Sequence, residues 1–116
     1  MRPGKYMTII NIIEKNDYLH FYEMDFSNDD WVGQEEMNKL YSMLCCYLNK
    51  QLGLQDIENG ICHKVLQSGN LKIKIFNDSA CYWLDVMVIV GDQEINVILK
   101  NVLKAWIDEL QNSKVV

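Results

Sequence analysis

CYWLDVMVIV, residues 81–90, joined directly to GDQEINVILKNVLKAWIDEL, residues 91–110, decides how the fold is read. The first run is almost entirely β-branched, aromatic or otherwise apolar, and it is too short for a free-standing helix. It predicts a central strand buried on both faces. Gly91 and Asp92 break that strand, and Asp92 offers a side-chain cap to the last helix. The residues after Asp92 repeat at helical spacing. Ile95, Ile98, Leu99, Val102, Leu103, Trp106, Ile107 and Leu110 form one wide apolar stripe, with Asn96, Lys100, Lys104 and Asp108 on the other side. Trp83 in the strand and Trp106 in the helix both read as core aromatics.

Upstream of this pair, Leu71, Ile73 and Ile75 alternate with Lys72 and Lys74, the pattern of a half-exposed strand. Asn77, Asp78 and Ser79 read as the turn between it and the central strand. Residues 61–67 make a weaker strand, closed by the turn residues Ser68, Gly69 and Asn70. Residues 55–60 read as a loop. A helix is predicted near 34–52, because Met37, Leu40, Tyr41, Leu44, Tyr47 and Leu48 fall on helical spacing, although Tyr41 and Tyr47, six apart, lie on different sides. Gly53 suits its C-cap, with Leu54 supplying the apolar contact behind it. Ser27, Asn28, Asp29 and Asp30 carry a helix-start signal.

The chain opens on a strand over residues 6–13, after a loose start at 1–5. Lys15, Asn16 and Asp17 have turn chemistry, and residues 18–26 then alternate. Tyr18, His20, Tyr22, Met24 and Phe26 share one face; Leu19, Phe21, Glu23 and Asp25 share the other. The order is β-β-α-β-β-β-α: a single α+β domain with an antiparallel sheet of about five strands, packed by two amphipathic helices.

Composition narrows the function. A net charge of −5, from 16 acids against 11 bases, speaks against a general binder of nucleic acid, which needs a basic stripe. No run approaches the roughly 18 apolar residues of a membrane span. Cys45 and Cys46 are adjacent in a helical run and face different ways, so they make a poor disulfide. Free, mostly buried thiols in a cytoplasmic setting are expected.

The acid is unevenly placed. Residues 1–60 hold ten acids and five bases, whereas residues 61–116 hold six of each. Glu23, Asp25, Asp29, Asp30, Glu35 and Glu36 crowd one strand-to-helix junction that also carries Trp31. Helix starts favour acids on their own account. The functional reading is an acidic docking surface for a basic protein, since complementary charge speeds encounter and Trp is a frequent interface anchor.

Other constellations are weaker. Asp25, Ser27, Asp29 and Glu36 have the spacing of positions 1, 3, 5 and 12 of a calcium loop. Asp30, however, stands where the sharp turn needs Gly, and a strand rather than a helix precedes it. Cys62 and His63 are neighbours and on a strand point to opposite faces, so they form no dyad with each other. The four Cys and two His lack zinc spacing. Asp85 interrupts the apolar central strand and, if buried, calls for a partner such as Lys72 or Lys74. A small enzyme using His20, a Cys and Asp85 would need those side chains to converge.

In general character the chain resembles bacterial immunity proteins, which bind and block a partner toxin, often a nuclease with a basic cleft. It is also similar in size and charge to acidic secretion chaperones, a likeness that would carry a homodimer with it. The leading expectation is a non-enzymatic inhibitor without a cofactor. It would use Glu23, Asp25, Asp29, Asp30, Trp31, Glu35 and Glu36 to occlude the active site of a nuclease toxin.

Overall fold

The computed structural model describes residues 11–16, 20–26, 33–78 and 80–112; for 11–16, 20, 111 and 112 it describes the backbone only. The elements are β1 (Asn11–Asn16), β2 (His20–Asp25), α1 (Gln34–Leu52), β3 (Gln55–Asn59), β4 (His63–Ser68), β5 (Leu71–Asp78), β6 (Trp83–Val90) and α2 (Gln93–Asn112). All strands belong to one antiparallel sheet in the order β1-β2-β6-β5-β4-β3. The class is the expected α+β, with a strand more than expected.

That extra strand is β3, in the stretch read as a loop. Its residues are exposed throughout, and a bulge falls between Asp56 and Glu58. A strand with no buried side leaves no alternation in its sequence to find. Its charges and its bulge are the usual protection of a sheet edge.

One sheet face forms the core. Tyr22 and Met24 of β2, Leu84, Val86 and Val88 of β6, Ile73 and Ile75 of β5, and Leu66 of β4 are buried there. Met37, Leu40, Leu44 and Leu48 of α1 pack onto them, as do Leu99, Leu103, Trp106 and Leu110 of α2. Both helices therefore lie on the same side. α1 ends at Gly53, in the left-handed conformation (φ 63°) that glycine adopts without strain, and Leu54 tucks in behind it. α2 is capped as expected: Asp92 Oδ1 accepts the Ile95 N–H at 2.8 Å.

Four expectations change. The central strand β6 is buried on one face only; Trp83, Asp85 and Met87 on its other face are half-buried, so Trp83 is not a core residue of the helix side. In α2, Asn96 is buried (5% exposed) and Ile98 is exposed (47%), the reverse of their predicted sides. Asn96 lies three residues before Leu99 on the inward face. Its carbonyl there accepts the Tyr22 hydroxyl at 3.2 Å, tying the start of α2 to β2. Asn77 and Asp78, read as a turn, extend β5 opposite Leu84 and Trp83. The turn instead runs through Ala80–Tyr82, where Tyr82 has a φ of 59°. Lys15 and Asn16, read as turn residues, belong to β1 and stand opposite Phe21 and His20.

Candidate functional site

The sheet face turned away from the helices is built by the alternate residues of each strand. Register sets them in rows. In one row Asp25, Trp83 and Asp78 are neighbours across β2, β6 and β5. In the next, Glu23 stands opposite Asp85, Asp85 opposite Phe76, and Phe76 opposite His63. Beyond them Phe21, Met87, Lys74 and Val65 form a third row, and Lys72 and Gln67 pair further along. Among the described residues no element covers this face.

Charge on the face is sorted by position. Glu23, Asp25, Asp78 and Asp85 occupy one end. Directly opposed Glu23 and Asp85 are a like-charge pair, an arrangement that costs stability and favours a cation nearby. Asn77 Nδ2 donates to Asn38 Oδ1 of α1 at 2.8 Å, which brings the first turns of α1 to the same end of the sheet. Glu35 is exposed there and Glu36 half-buried. The opposite end carries Lys72 and Lys74, with the Lys74 ammonium 5.0 Å from the Phe76 ring centroid.

The expected contact residues are thus placed unequally. Asp25 is half-buried on the acid end of the open face, and Glu35 and Glu36 lie in the first turn of α1. Glu23 is on the same face but only 7% exposed and engaged with its surroundings, which makes it a supporting rather than a reaching residue. Asp29, Asp30 and Trp31 lie outside the described residues. Asp78 and Asp85 join the acid end although sequence distance separates them from the junction; no local signal links them to Asp25, because the β2–β6 pairing is what brings them together.

Asp25 ends β2 and Glu36 begins α1, and the calcium-like run between them lies mostly outside the described residues. His63 Nε2 meets Glu58 Oε2 at 2.8 Å, not a thiol. That hydrogen bond holds the Glu58 carboxyl below the usual carboxylate range, helped by the charge of His63, Lys74 and Lys72. Tyr41, Cys45 and Asn49 succeed one another up the inner side of α1 at the β3–β4 edge. There Asn49 Nδ2 donates to Asp56 Oδ1 at 3.0 Å, and Lys64 Nζ lies 3.7 Å from Asp56 Oδ2. Burial pushes the Cys45 thiol up to about 12 and raises the Tyr41 phenol as well. Neither is poised as a nucleophile or base near neutral pH.

A groove of about 610 Å³ runs between the helices, lined by Met43, Cys46, Tyr47, Lys50, Trp106 and Leu110. Glu109 lines it too, and burial first, then the Glu109 carboxylate, raises the Tyr47 phenol. No helix among the described residues is long and apolar enough to cross a membrane. No family model, curated protein or solved structure matches the chain.

Proposed function

We propose that the protein is a non-enzymatic inhibitor of a basic protein partner. Its acid end, formed by Asp25, Asp78 and Asp85 on the sheet face and by Glu35 and Glu36 at the start of α1, seats on a cationic cleft. The class that fits best is a bacterial immunity protein that neutralises a nuclease toxin by occluding its active site. Residues 27–32, with Asp29, Asp30 and Trp31, continue the acidic run in sequence between Asp25 and Glu35. The carrying observation is the convergence of carboxylates from β2, β5, β6 and α1 at one end of the molecule. Free thiols at Cys45, Cys46, Cys62 and Cys81 support a reducing, cytoplasmic setting.

Inhibition of this kind is steric and electrostatic: carboxylates steer the encounter, and a rigid sheet end blocks substrate phosphates from the cleft. The candidate partner is the product of the reading frame beside this one. Its toxicity should disappear on co-expression with the protein. In surface binding kinetics, Asp25→Lys with Glu35→Lys should lower the association rate about tenfold at low salt while circular dichroism stays unchanged. An unchanged association rate in a folded variant would remove the acid end from the reading.

A further inference from the structure

The turn between β3 and β4 contains the only Asn-Gly step in the sequence, Asn59-Gly60. Asn59 ends β3, and both residues are exposed. The fold itself requires this glycine. The His63 imidazole lies against Gly60 and occupies the space that a Cβ would take. Glu58 holds the ring there, with its Oε2 2.8 Å from His63 Nε2. The Gly60 N–H donates to the His63 carbonyl at 2.8 Å, and the Asn77 N–H donates to the Cys62 carbonyl at the same distance. No such contact holds the Asn59 side-chain amide among the described residues.

We propose that Asn59 is a site of spontaneous covalent modification, where the side-chain amide is replaced by a carboxylate. The Gly60 backbone nitrogen attacks Cγ of Asn59. An N–Cγ bond forms, the Cγ–Nδ2 bond breaks, the Gly60 amide proton passes to solvent, and the side-chain nitrogen takes up a proton and leaves as ammonia. Water then opens the five-membered imide. Breaking the new N–Cγ bond gives aspartate; breaking the original bond from the Asn59 backbone carbonyl carbon to the Gly60 nitrogen gives isoaspartate, with the chain running through the side chain. The sum is the hydrolysis of an amide by water, and nothing is oxidised or reduced. Glycine hinders this attack least, because it has no side chain beside the nitrogen and reaches the required backbone angles freely. In the closed tip the Gly60 N–H is engaged with the His63 carbonyl, so the reaction waits for the tip to open locally. A hairpin at the sheet edge, with exposed backbone bonds, opens at low cost.

The product changes the tip. Isoaspartate lengthens the backbone by a methylene, which moves Gly60 out of register with His63 and loosens the contact with Glu58. The new carboxylate also stands beside Glu58, a like charge on the adjacent residue. β3 pairs with β4 alone, so this pairing is what the modification weakens. The proposal stands apart from the inhibitor reading, because its test needs no partner.

The test is to hold the full chain in neutral buffer at physiological temperature, with and without denaturant, and to map its peptides by mass spectrometry with aspartate and isoaspartate separated. In the folded protein Asn59 is expected to convert, mostly to isoaspartate, about tenfold more slowly than in the denatured chain. Asn77, inside β5 with its Nδ2 donating to Asn38 Oδ1, should keep its amide. His63→Ala removes the contact with Glu58 and should speed the folded-state conversion about tenfold, towards the denatured rate. Asn77 still unmodified in that variant separates a loosened tip from general unfolding. His63→Ala with Gly60→Ala has room for the new Cβ, and its conversion should fall well below that of His63→Ala alone. Three results would overturn the proposal. An Asn59 that stays an amide in the folded protein while the denatured chain converts means that the closed tip never releases the Gly60 nitrogen. Faster conversion at Asn77 places the reactive site elsewhere. An unchanged rate in His63→Ala means that this side chain does not hold the tip closed.

Discussion

The two faces of the one sheet are made from the same strands, residue by residue in alternation, and they differ in nearly everything else. The helix-covered face is mostly apolar: Tyr22, Met24, Leu66, Ile73, Ile75, Leu84 and Val86 are all buried, and the Tyr22 hydroxyl donates to the Asn96 carbonyl. The open face is mixed, with carboxylates, lysines, aromatics and Met87 side by side. Stability is stored on the first face; specificity is what the proposed function assigns to the second. A core needs only shape and apolar volume, whereas a recognition surface needs charge in particular places.

The largest test of this contrast compares truncations on either side of the sheet. Ile75→Ala on the covered face should cost about 2–5 kcal/mol in denaturant unfolding, the range for deleting a fully buried aliphatic side chain. Met87→Ala, about one strand spacing away and half-buried, should cost less than about half of that in dilute solution. Equal losses would mean that the open face is as well packed as the core. A smaller effect is expected from Tyr22→Phe, which leaves packing intact and removes one buried hydrogen bond, for a loss of about 1 kcal/mol. The smallest effect concerns Cys45, buried beneath α1, against Cys46 on its outer side. Alkylation of the native protein at neutral pH, read out by mass spectrometry, should label Cys46 and leave Cys45 unmodified. Burial raises the Cys45 thiol from an ordinary value of 9.0 to about 12. The unfolded chain therefore loses this proton first. The thiol's contribution is complete below pH 9 and is lost as pH climbs towards 12, so stability should fall across that alkaline window.

The covered face was legible in the sequence and the open face was not, for a physical reason. Periodicity reports burial, so α1, β2, β5 and most of α2 could be read from spacing, whereas β6 was read from its apolar run and the Gly53 and Asp92 caps from residue type. β3 escaped because it buries nothing. Asn96 and Ile98 were exchanged because polarity stood in for position: Asn96 lies on the inward face although its side-chain Oδ1 is buried there without a hydrogen-bond partner among the described residues. The same proxy put Trp83 in the core. At the acid end, local crowding marked Asp25, Glu35 and Glu36, while Asp78 and Asp85 depended on a pairing between distant strands that no short window of sequence contains. The groove between the helices was likewise invisible, since it depends on how two helices sit together rather than on either alone.

The strand order has a kinetic corollary. β6 lies between β2, near the beginning of the chain, and β5, its immediate predecessor. During synthesis the β1–β2 hairpin has no β6 to pair with until residues 26–90 have followed it. Closing so long a loop is the slow, entropically costly event in assembling this topology. Until it happens, the hairpin's inner edge stays open to any passing strand.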